Sequence, residues 1–226
     1  MASLAGLLRE RGWEVTGSDE NVYPPMSTQL AALGIPLRSP YDAANVPDDA
    51  DLVVIGNALS RGNPEVEAVL DRKQRTTSMP ALLADEFLRG RTSLVVAGTH
   101  GKTTTTSLLA FLLERTGRAP SFLVGGMPMD FERSYRLGRG PCFVVEGDEY
   151  DCAFFDKRPK FVHYMPDVAI VGNLEFDHAD IYTDLAAVQT AFVRLMNVIP
   201  RRGLLLAGIE SEIGRASCRE RVYDDV

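Results

Sequence analysis

Short, continuous apolar runs recur along the chain, and most of them end in a glycine, an amide or a carboxylate. The clearest runs are DLVVIGNA (51–58), SLVVAG (93–98), CFVVEGDE (142–149), VAIVGNLE (168–175) and RGLLLAG (202–208). Their apolar residues are consecutive, which is typical of parallel strands that are buried on both faces. A shorter run, Trp13–Thr16, also predicts a strand.

Segments with helical patterns lie between these runs. They are Ser3–Arg11, Ser27–Leu33 followed by Gly34, Asn63–Arg72 with Pro64 near its start, and Thr103–Glu114. Proline favours the first helical turn, and glycine commonly follows the last one. Strands that alternate with helices predict an α/β fold of the doubly wound type.

The length of the chain, 226 residues, allows one large domain or two small ones. A helix-like stretch ends near Gly90–Arg91, and we place a domain boundary there, between residues 1–90 and 91–210. The first domain opens on a helix, without the first strand and glycine-rich turn of a dinucleotide-binding domain. Residues 211–226 follow neither helical nor strand periodicity, so we interpret them as a non-native tail, with a natural polar tail as the alternative.

Composition excludes several classes of protein. The net charge is -7 and the pI is near 5.1, without a dense basic stripe, which argues against nucleic-acid binding. The three cysteines form no C-x-x-C pair, which favours a reducing compartment. No apolar run approaches the roughly 20 residues of a membrane span, and the start lacks the pattern of a signal peptide. We expect a cytoplasmic protein without membrane insertion, and the oligomeric state stays open.

The segment VVAGTHGKTTTT (95–106) is a candidate phosphate-binding loop between a predicted strand and a predicted helix. The usual nucleotide loop reads G-x-x-x-x-G-K-[ST]. Here Gly101, Lys102 and Thr103 match its end, but Val96 stands where the first glycine belongs. We expect Lys102 to reach the β and γ phosphates of ATP and the Thr103 hydroxyl to bind Mg²⁺ at a helix start that attracts anions. A chance Gly-Lys-Thr sequence is the alternative.

Oxygen-bearing side chains follow two more of the predicted strands. Glu146 comes directly after the apolar run FVV, and Asn173 follows Val168–Val171, with His178 a little beyond. Open α/β sheets bind ligands at the carboxyl ends of their strands, and Mg²⁺ prefers oxygen ligands. We therefore favour a role for Glu146 as a Mg²⁺ ligand over the alternative that it belongs to a solvated acidic turn. We also favour a functional role for His178. For His163, packing and a substrate-facing position stay equally open.

Three motifs taken together, AGTHGKTTT, VVEGDEYDCAFFDKRPKFVHYMP and NLEFDHADIY, resemble the Mur ligase family. That family has the short form G-T-x-G-K-T of the ATP loop, which accounts for Val96. The segments GSDENVYPPMSTQLAALGI and VIGNALSRGNPEVEAVL resemble it too, so the likeness runs from about Ser3 to about Gly208. It implies a Rossmann-like UDP-binding domain lacking its first strand, followed by an incomplete central P-loop ATPase-type domain.

The resemblance also implies roles for individual residues. The ATP-binding residues would be Gly98, Thr99, His100, Gly101, Lys102, Thr103, Thr104 and Asn173. Thr103 and Glu146 would hold one Mg²⁺, and His178 would help to hold a second. Asp19, Asn57 and Ser60 would bind the UDP part of the substrate, and the catalytic residues would be Lys102, Glu146 and His178.

The family joins an amine to a carboxylate with ATP. The resemblance implies that the lactyl carboxylate of UDP-N-acetylmuramate becomes an acyl phosphate, which the amine of L-alanyl-γ-D-glutamyl-meso-diaminopimelate then attacks, in peptidoglycan recycling. L-Alanine is the alternative amine. The family's carboxy-terminal domain has no counterpart here, so we expect this chain alone to be inactive. Two functions of other classes stay open: a P-loop kinase or NTPase, and a non-catalytic nucleotide-binding module.

Overall fold

The chain folds into two compact units. The computed structural model describes residues 1–174 and 185–208. The first unit comprises Met1–Leu82 and the short segment Asp151–Lys157, and the second comprises Leu83–Tyr150 and the chain from Arg158 onwards. The domain boundary at Gly90–Arg91 stays a prediction. Residues 211–226, which we interpret as a tail, lie outside the described residues.

Short helices and short parallel strand pairs make up the first unit. Its elements are α1 (Ala2–Glu10), β1 (Gly17–Ser18), α2 (Met26–Ala32), β2 (Leu37–Arg38), β3 (Val53–Ile55), α3 (Pro64–Asp71), β4 (Thr76–Ser78) and α4 (Met79–Leu83), whose last residue belongs to the second unit. Strand β1 pairs with β2, and β3 pairs with β4, both in parallel. The two pairs are separate two-stranded sheets.

The strand predicted at Trp13–Thr16 is wrong, because the ladder begins only at Gly17. The Gly17 N–H donates to the Pro36 carbonyl (3.0 Å), and the Asp19 N–H donates to the Arg38 carbonyl (3.1 Å). In a two-stranded sheet, a strand extends only as far as its one partner pairs with it, and β2 has two residues. The predicted strand at 51–58 is shortened to β3 for the same reason, since its partner β4 has three.

A six-stranded sheet organises the second unit. The elements after α4 are β5 (Thr92–Ala97), α5 (Lys102–Arg115), β6 (Ser121–Leu123), β7 (Tyr135–Arg136), β8 (Cys142–Gly147), β9 (Asp151–Ala153), β10 (Asp156–Pro159), β11 (Val168–Val171), α6 (Leu185–Asn197) and β12 (Leu204–Ala207). The strand order is β12-β11-β5-β8-β6-β7, and only β7 runs antiparallel to its neighbour. Strands β9 and β10 form a two-stranded sheet of their own, and β9 together with Asp156 and Lys157 of β10 belongs to the first unit.

The predicted strands at 93–98, 142–149, 168–175 and 202–208 are confirmed as β5, β8, β11 and β12. Their central members are buried, as a sheet covered on both faces requires: Phe143, Val144 and Val145 of β8 are fully inaccessible to solvent. Helix α5 covers one face, where Ala110 packs with apolar residues of β5, β6 and β8.

Strand β12 lies at one edge of the six-stranded sheet, and β7 lies at the other. Leu204 and Leu206, which point to the same face, are each about half exposed. Among the described helices, none is both long enough and apolar enough to span a bilayer.

Candidate functional site

The loop between β5 and α5 has the strand–loop–helix context that the sequence predicts. Gly101 adopts a left-handed conformation (φ 75°) and directly precedes α5, which begins at Lys102. Gly98 has φ 135°, and a Cβ atom there would lie 3.0 Å from the backbone nitrogen of Gly172. The Thr99 N–H donates to the Asn173 carbonyl (3.1 Å). The loop is therefore fastened to the end of β11 at a distance that only glycine allows.

The ammonium group of Lys102 folds back onto the loop that precedes it. Its Nζ atom lies 2.8 Å from the Gly98 carbonyl oxygen and 3.3 Å from that of Thr99. It also lies 3.0 and 3.2 Å from the two carboxylate oxygens of Glu149. An ammonium has three protons, so all of its donor capacity is used within the protein.

Glu149 is the more buried member of this ion pair. Its side chain is 2% exposed, whereas that of Lys102 is 18% exposed. A carboxylate this deeply buried requires a charged partner, because the ionised form is costly to remove from water. Lys102 thus stabilises a buried charge in addition to any role towards a ligand.

Glu146 presents one committed and one uncommitted carboxylate oxygen. It lies at the carboxyl end of β8, and its Oε2 accepts a hydrogen bond from the Gly125 N–H (2.7 Å). Its Oε1 is buried, and within residues 1–174 and 185–208 no group donates a hydrogen bond to it. A buried carboxylate oxygen without a donor is a suitable ligand for a hard cation such as Mg²⁺. The residues present therefore fit the metal that the sequence predicts.

The structure brings most of the predicted ATP-binding residues to one edge of the sheet. Thr103 and Thr104 are exposed in the first turn of α5, and His100 is exposed in the loop. Asn173 is exposed after β11, the strand next to β5. His178 lies outside the described residues, so its predicted roles remain predictions.

The residues predicted to bind UDP, Asp19, Asn57 and Ser60, are exposed residues of the first unit. Asp19 Oδ1 accepts hydrogen bonds from the Asn21 N–H (3.2 Å) and the Tyr41 hydroxyl (3.4 Å). Partial burial and the neighbouring Asp19 carboxylate raise the pKa of Tyr41 above its ordinary value. Among the hydrogen bonds of the described residues, none joins Asp19 to Asn57 or Ser60.

Comparison with known families decides the assignment. Residues 1–90 match the family described as "Mur ligase family, catalytic domain", and residues 96–223, more than half of the chain, match "Mur ligase middle domain". The chain belongs to the Mur ligase family. The likeness that the three sequence motifs indicate is confirmed, and so is the α/β fold class.

Individual Mur ligases show how the similarity is distributed. UDP-N-acetylmuramate--L-alanyl-gamma-D-glutamyl-meso-2,6-diaminoheptandioate ligase of Escherichia coli (strain K12) is 54% identical over 206 residues, which make up 91% of this chain and 45% of that protein. UDP-N-acetylmuramate--L-alanine ligase of Oleidesulfovibrio alaskensis is 37% identical over 204 residues, which make up 90% and 43%. The chain spans about half the length of the curated relatives it matches.

A solved Mur ligase has the same fold. The crystal structure of UDP-N-acetylmuramate:L-alanyl-gamma-D-glutamyl-meso-diaminopimelate ligase from Neisseria meningitides superposes with a TM-score of 0.93 at 47% identity, covering 97% of this chain and 71% of that one.

Sequence reasoning did not single out three residues of the site: Glu149, Gly125 and Gly126. Nothing in the sequence distinguishes Glu149 from the nearby Asp148, which pairs with Lys160 instead (2.6 Å). Gly125 and Gly126 were recognisable in the sequence, because they directly follow the apolar run SFLV (121–124), just as other glycines follow the predicted strands. That run contains β6, a strand that the sequence reading missed.

The Lys102–Glu149 pair predicts unequal effects of two variants on stability. Lys102→Ala leaves the buried carboxylate of Glu149 without its cationic partner, which typically lowers the free energy of unfolding by about 3 kcal/mol. The double variant Lys102→Ala with Glu149→Gln removes the charge as well, so we expect a smaller loss. Urea denaturation of both variants measures the difference. Equal destabilisation of the two would show that the stranded charge is not the cause.

The two loop glycines predict a second contrast in stability. Gly98→Ala places a Cβ against Gly172 and forces a strained φ, at a cost of about 1–3 kcal/mol. Gly101→Asn is expected to be tolerated, because asparagine adopts the left-handed conformation and no atom lies within 4 Å of a Cβ at Gly101. Thermal unfolding of both variants tests this, and equal melting temperatures would contradict it.

Proposed function

We propose that the parent of this Mur ligase chain is an ATP-dependent ligase that joins UDP-N-acetylmuramate to L-alanyl-γ-D-glutamyl-meso-diaminopimelate in peptidoglycan recycling. The main support is the geometry around Lys102 and Glu146: a phosphate-type loop and an uncommitted carboxylate oxygen at the ends of neighbouring strands. The higher identity to the E. coli ligase named for the tripeptide, 54% against 37% for the L-alanine ligase, favours the tripeptide over L-alanine.

The loop would bind the phosphates of ATP. Backbone N–H groups at the start of α5 favour an anion through their partial positive charge, and Gly98 and Gly101 allow the backbone to approach it. Lys102 would share its ammonium between Glu149 and the β and γ phosphates. His100, Thr104 and Asn173 would complete the nucleotide site. Because the cosubstrate is ATP and the acceptor is a UDP-sugar, we propose that the parent acts in the cytoplasm.

The proposed reaction has two steps. An oxygen of the lactyl carboxylate attacks the γ phosphorus, and the bond to the β–γ bridging oxygen breaks, which gives ADP and an acyl phosphate. The amine nitrogen then attacks the acyl carbon, the bond to the phosphate oxygen breaks, and the nitrogen loses a proton. Thr103 and Glu146 would hold a Mg²⁺ ion, which neutralises phosphate charge when bound. The chain contributes mainly positioning and charge stabilisation.

Two further assignments are part of this proposal. His178 would help to hold a second Mg²⁺ ion. Asp19, Asn57 and Ser60 would contact the UDP part of the acceptor. We also propose that residues for the amine substrate lie in the half of the relatives' length that this chain does not span, so that the chain alone does not form amide bonds.

Calorimetry with ATP and Mg²⁺ tests the nucleotide site in this chain. We expect binding, and we expect Lys102→Ala with Glu149→Gln to weaken it by on the order of tenfold or more, because a charge-assisted hydrogen bond contributes about 1.5–3 kcal/mol. The double variant avoids a stranded carboxylate. Lys157→Ala removes an exposed lysine, 69% exposed and paired with Asp151, as the matched control. Equal binding by the control and the double variant would refute the loop assignment.

Mass spectrometry of a reaction with the full-length gene product tests the substrate. We expect amide formation from UDP-N-acetylmuramate, ATP and the tripeptide, and much less from L-alanine. Faster reaction with L-alanine would reassign the amine. Phosphate release without a UDP-sugar would indicate an NTPase, and nucleotide binding without any turnover would indicate a non-catalytic module.

A further inference from the structure

The turn that follows β6 contacts both of the residues assigned to the first cation. Strand β6 is the parallel neighbour of β8, and Leu123 lies opposite Val145. The chain leaves the strand beside Glu146 and passes through Gly125 and Gly126. This glycine pair was not part of the expected site.

Gly125 fixes the carboxylate of Glu146. Its N–H donates to Glu146 Oε2 at 2.7 Å, and a Cβ atom at Gly125 would overlap that same oxygen. One carboxylate oxygen is therefore committed to the turn, and Oε1 is left buried without a donor among the described residues. The turn thus determines which oxygen is available to a cation.

Gly126 lies against Thr103. A Cβ atom at Gly126 would be 3.1 Å from the Thr103 methyl carbon, which is tighter than ordinary van der Waals contact. The methyl and hydroxyl groups of threonine share one Cβ, so a neighbour that restricts the methyl also restricts the hydroxyl. Neither Gly125 nor Gly126 has a positive φ. Glycine is therefore needed at these two positions because a Cβ atom would collide with Glu146 or Thr103. It is not needed for a left-handed backbone conformation.

We propose that the Gly125–Gly126 turn is a positioning element for a divalent cation held by Glu146 and Thr103. Gly125 orients the carboxylate through its N–H, and Gly126 leaves the space that the Thr103 side chain occupies. The inference rests on the proposed function in one respect only, the assignment of Glu146 and Thr103 as cation ligands. Partners that orient a metal's ligands typically affect its affinity 10- to 100-fold.

The test measures ATP binding by calorimetry over a range of Mg²⁺ concentrations, and again in EDTA. We expect Gly125→Ala to raise the Mg²⁺ concentration needed for half-maximal enhancement of ATP binding about 10- to 100-fold, and Gly126→Ala to raise it less. Binding in EDTA should stay at the wild-type level in both. The proposal would be overturned if Gly125→Ala left the Mg²⁺ requirement unchanged. It would also be overturned if Gly125→Ala weakened ATP binding in EDTA as much as it does in the presence of Mg²⁺.

Gly203→Ala is the matched control, because a Cβ there would lie 2.6 Å from Ile199 Cγ2. Gly203 precedes β12, at the amino ends of the parallel strands and away from Glu146. We expect this variant to lower the melting temperature without changing the Mg²⁺ requirement. If Gly203→Ala changed the Mg²⁺ requirement as much as Gly125→Ala does, the effect of Gly125→Ala would be explained by lost stability alone. That result would also overturn the proposal.

A second measurement needs no glycine variant and no nucleotide. Mn²⁺ is titrated into the wild-type chain, and the amide NMR signals of Gly125, Gly126 and Thr103 are expected to broaden before those of the exposed acidic pair Asp48–Asp49. Glu146→Gln should abolish this preference. Equal broadening of both regions would overturn the proposal even where Gly125→Ala fails to fold. Selective broadening without ATP binding would retain the cation site and refute the nucleotide site.

Discussion

The parallel register of β5, β8 and β6 determines where the groups of the candidate site lie. Val96 lies opposite Glu146, and Leu123 lies opposite Val145, so the three strands end almost level. Their carboxyl ends then present the phosphate loop, the Glu146 carboxylate and the glycine turn side by side. Side chains alternate along a strand, so a slip of one residue in β8 would turn Glu146 to the other face of the sheet.

The two lysines described near this edge are paired with carboxylates before any ligand arrives. Lys102 is paired with Glu149, and the nearby Lys160 is paired with Asp148. An incoming phosphate would therefore compete with carboxylates for the same ammonium groups. The backbone N–H groups at the start of α5 take no part in these ion pairs, so a phosphate would meet them without displacing a carboxylate.

Local sequence was sufficient for four of the six strands of the large sheet, for the loop and for the family. The apolar runs of β5, β8 and β11 and the residues Gly98–Thr103 carry their signals within a few positions. The contact between Lys102 and Glu149 joins residues 47 positions apart, and that between Gly125 and Glu146 joins residues 21 apart. These pairings follow from strand order, which no short segment encodes. The strand predicted at Trp13–Thr16 was wrong for the same reason: the residues that pair with β2 are Gly17 and Ser18, and β2 is distant in the sequence.

The exposed leucines of β12 have a consequence for the behaviour of the chain in solution. Beyond β12 no described strand is paired, and its open face carries Leu204 and Leu206, each about half exposed. An unpaired edge with apolar side chains is a template for intermolecular strand addition. Leu204 and Leu206 therefore favour association of this chain in solution, and a lysine in place of either leucine should improve its solubility.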